Sequence, residues 1–342
     1  MSVSDDIKLD FRDVLIKPIH STLKSRSEVS IISSYSFPNT SFTWQGTPIM
    51  TSNMDTTGTF EMAIEMFKFK MITCIHKHYS IEEWKHFIDK QKTNPLIFNY
   101  IAISCGTSKT DLDKLYALLH ICNARFICLD VANGYRNDFI ETIKLVRNNW
   151  SDRILIAGNV VTPEYVKIIL EAGANIVKIG IGNGSACSTR MKTGIGYPQF
   201  SAILECHTIA RDMGGYILSD GGCSTPADIV KAFGAGADFV MCGGMFAGHT
   251  ESGGELIREV NGDLYKEFYG MSSDTAMNKY SGGVANYRTS EGLTIRMKYK
   301  GPIEDTLLDI CGGIRSACTY LNSTNIRDLH DNIQFVKVNN IK

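Results

Sequence analysis

The sequence predicts an α/β fold, a (β/α)8 TIM barrel with loop insertions at the C-terminal face of its strands. Eight short apolar runs alternate with amphipathic helical stretches along the 342 residues. The runs are nearly continuously apolar, which is typical of parallel strands that are covered on both faces. The length also accommodates one barrel of about 250 residues with insertions.

The elements follow one another in order along the chain. The predicted strands are Pro48–Asp55, Met71–His76, Tyr100–Cys105, Phe126–Asn133, Arg153–Val160, Asn175–Gly182, Tyr216–Gly222 and Asp238–Met245. The predicted helices are Phe60–Phe69, Ile81–Lys90, Leu112–His120, Asp138–Trp150, Pro163–Ala172, Pro198–Met213, Pro226–Phe233 and Glu304–Tyr320. Thr162 and Thr225 each precede a proline, which predicts a capping hydroxyl before the first helical residue. Gly173 and Gly236 predict the ends of two helices.

An open, doubly wound sheet is the competing architecture. Such a sheet binds dinucleotides through a G-x-G-x-x-G pattern after its first strand. Here Thr56-Thr57-Gly58-Thr59 follows the first strand instead. The sequence therefore favours the barrel.

We expect one catalytic domain over residues 1–342. It comprises an N-terminal extension (1–47), a catalytic loop (182–198), a flap-like insertion (253–301) and a C-terminal tail (322–342). The catalytic loop follows the sixth strand and the insertion follows the eighth. Loops after strands lie at the face where barrel enzymes have their active sites, so both segments are expected at one mouth.

Composition limits the classes of partner. With 35 basic and 36 acidic residues the net charge is −1, which argues against broad binding of nucleic acid or of an anionic membrane. No apolar run approaches the ~18 residues of a membrane span, and the polar start lacks an apolar signal segment.

The ten cysteines include no C-x-x-C pair, and several lie in apolar strands. We therefore expect buried thiols and a cytoplasmic location.

Two glycine pairs mark a candidate phosphate site. Gly221-Gly222 and Gly243-Gly244 end the seventh and eighth strands, where barrel enzymes commonly bind phosphate. Glycine lets backbone N–H groups approach phosphate oxygens, although tight turns alone would also explain the pairs. Asp220 would accept hydrogen bonds from ribose hydroxyls. These residues predict a substrate that carries a phosphate.

Cys187 is the candidate nucleophile. It lies in the loop after the sixth strand, among glycines and hydroxyls and close to Arg190, and a nearby cation favours the thiolate form. Thr189 could relay a proton, and carbonyls of the same loop could bind a monovalent cation.

Glu291 is a candidate general acid or base if it reaches the site, and otherwise an ordinary solvated carboxylate. His76-Lys77-His78 is a possible anion contact rather than a metal site.

Several motifs resemble one enzyme family. They are Leu9–Leu15, Asp130–Tyr135, Cys187–Arg190, Lys192–Gln199, Asp220–Gly222, Tyr269–Ser272 and Gly312–Ser316. Over nearly the full length the chain resembles the GMP reductase family, within the wider group that contains IMP dehydrogenase. The dehydrogenase usually has glutamine at the place of Arg190 and an Arg-Tyr pair where this chain reads Tyr287-Arg288. It also usually carries inserted regulatory modules, for which this chain has no room.

The resemblance implies NADPH-dependent reductive deamination of GMP to IMP with release of ammonia. Cys187 would form a covalent thioimidate with purine C2, and Thr189 and Glu291 would deliver the proton to the leaving ammonia. The implied substrate contacts are Asp220, Gly221, Gly222, Gly243, Gly244, Gly270, Met271, Ser272, Arg288, Thr289, Ser290, Glu291 and Gly292.

The resemblance also implies a cofactor site, a cation and an assembly. The implied NADPH contacts are Ser25, Arg26, Lys77, Asp130, Val131, Ala132, Ile181, Gly182, Met271, Tyr287, Arg288, Ser316, Ala317, Cys318 and Thr319. A potassium ion would bind at Gly182, Gly184, Cys187 and Arg190, and the chain would form a homotetramer. Asn183 stands where the family usually has proline, and Ser188 where it usually has threonine.

Two alternatives stay open on the sequence. An IMP dehydrogenase without regulatory modules would oxidise IMP with NAD to XMP. A nucleotide-binding barrel that serves as a sensor or scaffold would bind GMP without turnover. The combination of Cys187, Thr189 and Glu291 argues against the second alternative, because a protein that only binds nucleotides needs none of them.

Overall fold

Eight parallel strands close into a barrel, as predicted. The computed structural model describes residues 5–287, 289–331 and 333–338. Each barrel strand pairs with its neighbour in chain order, and β8 pairs with β1 to close the ring. The strands are β1 (Ile49–Thr51), β2 (Ile72–Ile75), β3 (Ile101–Cys105), β4 (Phe126–Asp130), β5 (Ile154–Val160), β6 (Ile176–Ile179), β7 (Tyr216–Asp220) and β8 (Phe239–Cys242).

Helices follow the strands. They are α1 (Phe60–Lys68), α2 (Ile81–Lys90), α3 (Lys109–Ile121), α4 (Asn137–Asn149), α5 (Pro163–Glu171), α6 (Thr189–Thr193), α7 (Gln199–Asp212), α8 (Pro226–Gly234), α9 (Asp274–Ser281) and α10 (Glu304–Tyr320). All of these except α6, in the catalytic loop, and α9, in the insertion, pack their apolar faces against the outside of the barrel in one continuous apolar core. Short 3-10 helices cover Phe11–Asp13, Arg26–Glu28, Pro95–Tyr100 and Arg327–His330.

Several strands end earlier than predicted. β4 ends at Asp130, β6 at Ile179 and β8 at Cys242, about three residues before the ends that the apolar runs suggested. After β6 the reason is visible, because Gly180 and Gly182 have φ angles of 150° and 81° that turn the chain out of the sheet. The residues between the observed and the predicted strand ends therefore belong to the loops that line the mouth of the barrel.

The predicted helix signals are partly confirmed. The Thr225 hydroxyl accepts a hydrogen bond from the Asp228 N–H, as a cap should. The cap predicted at Thr162 is wrong, because its side chain makes no capping bond and instead pairs with the Tyr135 hydroxyl at 3.3 Å. Gly173 and Gly236 adopt φ angles of 110° and 107°, which confirms the predicted helix ends.

A hairpin from the N-terminal extension closes the base of the barrel. Its strands Ser33–Ser36 and Thr43–Gly46 pair antiparallel. Tyr35 and Trp44 are 1% exposed and pack against Phe239, the first residue of β8. The N-terminal end of the barrel interior is therefore filled with aromatic rings. A second two-stranded sheet pairs Val14–Ile16 with Phe335–Lys337.

The insertion after β8 is a small sheet and a helix rather than the loop that the sequence analysis expected. Strands Leu256–Arg258, Leu264–Tyr269 and Thr294–Lys298 form an antiparallel sheet, and α9 lies between the last two. Asp55, just after β1, accepts hydrogen bonds from the Tyr269 hydroxyl at 2.5 Å, from Lys279 Nζ at 3.0 Å and from the Tyr280 hydroxyl. These contacts fix the insertion to the barrel.

The burial of the thiols agrees with the expectation from the sequence. Eight of the ten cysteines are buried, and Cys187 and Cys223 are partly exposed. Within the described ranges, no helix combines the length and the apolarity that a membrane crossing requires.

Candidate active site

One cavity of about 280 Å³ opens at the carboxyl ends of the strands. It is lined by residues of the catalytic loop, the glycine-rich strand ends and the insertion. The catalytic loop and the insertion therefore meet at one mouth, as predicted. The predicted site residues that line it are Asp130, Val131, Ala132, Ile181, Gly182, Gly184, Cys187, Thr189, Asp220, Gly221, Gly222, Gly243, Gly244, Gly270, Met271, Ser272 and Glu291.

Three of these residues form a hydrogen-bonded chain. The Cys187 thiol donates to Thr189 Oγ1 at 3.3 Å, and the Thr189 hydroxyl donates to Glu291 Oε2 at 2.8 Å. A thiol proton can thus pass through the threonine hydroxyl to a carboxylate. The arrangement can therefore supply a sulfur nucleophile at one end and a carboxylate that accepts or donates the proton at the other.

Glu291 is brought to Cys187 by close backbone packing. The Ser188 N–H donates to the Glu291 carbonyl at 2.8 Å, and Cys187 pairs with Gly292 in an antiparallel bridge. A Cβ atom on Gly292 would lie 2.7 Å from the Ser273 N atom, and one on Gly270 would lie 2.7 Å from the Ala186 carbonyl oxygen. Glycine at position 270 lets the insertion lie directly on the catalytic loop, and glycine at position 292 lets the segment that carries Glu291 lie close to Ser273 of the same insertion.

The strand-end glycines form the opposite wall. Gly221 and Gly222 have φ angles of 91° and 85°, which disfavour any other residue. A Cβ atom on Gly244 would lie 2.6 Å from Ser185 Oγ. With no side chains here, backbone N–H groups are exposed to an incoming anion.

A buried lysine that the sequence analysis did not single out lies beneath the cavity. Lys178, on β6, is 1% exposed, and its Nζ lies 3.2 Å from Asp130 Oδ2 and 3.3 Å from Asp220 Oδ2. Burial alone would lower the pKa of Lys178, but the two carboxylates outweigh burial and raise this pKa well above its usual value. The lysine is therefore charged. A cation inside the apolar run Ile176–Ile179 was the available sequence signal.

Arg190 lies on α6, close in sequence to Cys187, and its guanidinium is held by several hydrogen bonds. Its guanidinium donates to Asp10 Oδ2 at 3.2 Å, to the Tyr197 carbonyl at 2.6 Å and to the Asn183 side-chain oxygen. Among the described residues, no hydrogen bond joins it to Cys187. Arg190 therefore shapes the catalytic loop, and the partner of the thiol is Thr189.

Other predicted site residues lie outside the cavity. Lys77 pairs with Asp111 at 3.0 Å, and Tyr287 is 88% exposed. Arg288 lies outside the described residues. Of the described predicted contacts, the ones that do not line the cavity are Ser25, Arg26, Lys77, Arg190, Tyr287, Thr289, Ser290, Gly292, Ser316, Ala317, Cys318 and Thr319. The last four lie on α10, against which the 3-10 helix Arg26–Glu28 packs, and Cys318 is fully buried.

The histidines near Lys77 are not a cationic cluster. Burial lowers the pKa of His76 and of His78 to about 4, so both rings are neutral near pH 7. The His78 ring stacks on Tyr280 at 3.5 Å between centroids. In the described part of the chain, no group of three or more histidine, cysteine or acidic side chains could hold a metal ion.

Comparison with known proteins agrees with this geometry. The model of the IMP dehydrogenase / GMP reductase domain matches residues 8–341. The chain is 51% identical to GMP reductase 1 of Rattus norvegicus and 52% identical to GMP reductase 2 of Homo sapiens, over 98% of this chain and 96% of each relative. It is 49% identical to the GMP reductase of Aeromonas hydrophila, over 99% of this chain and 97% of the relative. The chain belongs to the IMP dehydrogenase / GMP reductase family.

Proposed function

We propose that the protein is an oxidoreductase that converts GMP to IMP and ammonia at the expense of NADPH, in purine nucleotide interconversion and salvage. The observation that carries the proposal is the chain from Cys187 through Thr189 to Glu291 beside the strand-end glycines. The overall reaction balances as GMP, NADPH and two protons giving IMP, NADP⁺ and an ammonium ion.

The substrate would lie with its phosphate on the backbone N–H groups of Gly221, Gly222, Gly243 and Gly244. Asp220 would accept hydrogen bonds from the ribose hydroxyls. The purine would then extend towards Met271, Ser272 and the segment 288–292. This placement brings purine C2 to the side of the cavity that Cys187 lines.

The first chemical step would be attack of the Cys187 sulfur on purine C2. The thiol proton moves through Thr189 to Glu291, and the same two residues return a proton to the C2 amino group, which leaves as ammonia. The C2–N bond breaks as the C2–S bond forms, so the product is a thioimidate that joins Cys187 to the purine. When C2 later accepts a hydride, the C–S bond breaks and IMP leaves.

NADPH supplies that hydride when it is bound. Asp130, Val131, Ala132, Ile181, Gly182 and Met271 line the cavity beside Cys187 and would hold the nicotinamide end. Ser25, Arg26, Lys77, Tyr287, Arg288 and Ser316 to Thr319 would hold the remainder, with Arg26 and Lys77 as cations for the phosphate that distinguishes NADPH from NADH. The buried Cys318 side chain leaves only backbone contacts at that position.

A potassium ion would bind to loop carbonyls of Gly182, Gly184 and Cys187, beside Arg190. Neutral carbonyl oxygens suit a weakly held monovalent cation. The nearby guanidinium opposes a second positive charge, and Asn183 replaces the proline of the family. Activity in potassium chloride compared with tetramethylammonium chloride, together with thermal unfolding in the two salts, tests this site.

We further propose a cytoplasmic homotetramer. The proposed cofactor contacts form two groups, one lining the cavity and one beside α10. A neighbouring subunit in a tetramer could bring its second group to the cavity of the first. Light scattering with and without NADPH measures the assembly, and a monomer with full activity would contradict the proposal.

A single assay tests the reaction. The protein is incubated with GMP and NADPH, and loss of reduced cofactor is compared with the ammonia formed. Equal amounts of both support the proposal, whereas no GMP-dependent oxidation rejects it. Incubation with IMP and NAD tests the dehydrogenase alternative, which predicts XMP and no ammonia. Calorimetric binding of GMP without turnover would instead indicate a nucleotide sensor.

A further inference from the structure

Five side chains form a nearly symmetric polar chain under the cavity. Lys178 Nζ lies at its centre, 3.2 Å from Asp130 Oδ2 and 3.3 Å from Asp220 Oδ2. Asn53 Nδ2 donates to the same oxygen of Asp130 at 2.6 Å, and Asn159 Nδ2 donates to the same oxygen of Asp220 at 2.8 Å. Each carboxylate therefore makes both of these contacts through the same oxygen, Oδ2.

The second oxygen of each carboxylate is available to a ligand. Among the described residues, neither Asp130 Oδ1 nor Asp220 Oδ1 makes a hydrogen bond, and both aspartates line the cavity. Their side chains are 29% and 22% exposed, whereas Lys178 is 1% exposed. The lysine thus cannot be a ligand contact itself, and the two carboxylates can.

A fully buried ammonium is stable only where carboxylates offset the loss of water. Lys178 meets this condition with two of them, and the other titratable groups that face it are the thiols of Cys74 and Cys128. In turn, two carboxylates sharing one region of low dielectric repel each other unless a cation lies between them. Removing the lysine would therefore disturb both aspartates at once.

We propose that Lys178 is a positioning residue that holds Asp220 for the substrate ribose and Asp130 for the cofactor in one fixed arrangement. The inference rests on the proposed function, because the roles of the two carboxylates come from it. Lys178 contacts neither ligand and acts only through its two partners. The proposed substrate and cofactor sites share this one buried cation, so a change in the position of one carboxylate also alters the position of the other.

The test is steady-state kinetics of Lys178→Met, which keeps the length of the side chain and removes its charge. We expect the KM for GMP and the KM for NADPH each to rise by about tenfold or more, with a smaller change in kcat. In this variant the two carboxylates lack the cation between them, so their positions should change together and both KM values should rise together.

Lys266→Met is the matched control. Lys266 is 8% exposed and donates to the backbone carbonyls of His249, Thr250 and Ser252 rather than to carboxylates. The Lys266→Met variant shows how far the loss of a buried ammonium group changes the KM values through reduced protein stability alone. Equal KM values for GMP and for NADPH in the two variants would overturn the inference.

A double-mutant cycle shows whether Lys178 acts through Asp220. In an Asp220→Asn background, Lys178→Met should change the KM for GMP by less than about threefold. A full tenfold effect there would overturn the inference.

If Lys178→Met alone fails to fold, Lys178→Met/Asp130→Asn keeps the net charge of the group and is compared with Asp130→Asn. A higher KM for GMP in the double variant supports the role, and an equal KM rejects it. Wild-type protein that turns over no GMP in the same assays would reject the proposed function instead.

Discussion

At the scale of single residues, the proposed mechanism depends on Cys187 as its nucleophile. Cys187→Ala should lower kcat by roughly four orders of magnitude or more, because the variant lacks the sulfur that forms the bond to purine C2 in this mechanism. GMP binding, measured by calorimetry, should stay within a few-fold of the wild type, since the phosphate and ribose contacts are unchanged. Cys223→Ala removes the other partly exposed thiol and should leave turnover intact. Normal turnover in Cys187→Ala would reject covalent catalysis.

Glu291 is the second residue with a defined chemical task. Glu291→Gln keeps the shape of the side chain but cannot exchange the proton that Thr189 carries, so kcat should fall by about 10²–10⁴-fold. The KM for GMP should change much less. Glu255→Gln, an exposed carboxylate of the same insertion, is the control for which no change is expected. A loss confined to KM would show that Glu291 binds the substrate rather than moving a proton.

At the scale of elements, close packing within the insertion holds the segment that carries Glu291 beside the catalytic loop. Gly292→Ala places a methyl group 2.7 Å from the Ser273 N atom, so the segment that carries Glu291 must shift. We expect kcat to fall about tenfold or more while the melting temperature changes little, because a small misplacement of a catalytic group is costly. Gly312→Ala on α10, with nothing within 4 Å of its Cβ among the described atoms, is the control and should retain activity.

Asp55 anchors the insertion, and its contribution depends on pH. Burial raises the pKa of Asp55, but hydrogen bonds from Tyr269, Tyr280 and Lys279 outweigh it and lower the pKa below the usual 3.8. The stabilisation is therefore fully present above pH 3.8 and is lost as the pH falls through the lower pKa of the folded state.

Asp55→Asn should loosen the insertion at neutral pH, at a cost of about 2 kcal/mol. Hydrogen exchange over Leu264–Tyr269 measures this loss of protection. Acidified wild type should show the same pattern, and Asp212→Asn, an exposed carboxylate on α7, should not. Unchanged exchange in Asp55→Asn would contradict the anchoring role.

At the scale of the whole molecule, the aromatic base stabilises the barrel that carries the site. Trp44 is 1% exposed and contacts Tyr35, Phe126 and Phe239. Trp44→Ala should lower the free energy of unfolding by about 3–5 kcal/mol, because it empties a large buried volume. Leu96→Ala, 62% exposed, should cost little. Chemical denaturation measures the free energy of unfolding of both variants. Equal denaturation midpoints for Trp44→Ala and Leu96→Ala would show that the aromatic base contributes no stability.

The sequence predicted the barrel because eight apolar runs and their helices are local, periodic signals. It also predicted the loops that meet at the mouth, since strand order places them there. It could not predict that residues 253–301 fold as a sheet, because pairing between distant, polar strands leaves little local trace. It missed the partners of Lys178, which lie on β4 and β7 and become neighbours only when the barrel closes. It also missed Asp10 as a partner of Arg190, because Asp10 is 180 residues away along the chain.

The central claim is that GMP is reduced through a covalent bond between Cys187 and purine C2. Mass spectrometry of the protein, quenched with acid during turnover of GMP and NADPH, tests it most directly. The peptide that contains Cys187 should gain the mass of GMP less that of ammonia, and Cys187→Ala should show no such gain. Turnover of GMP with an unmodified Cys187 peptide, or with the adduct on another residue, would contradict the account.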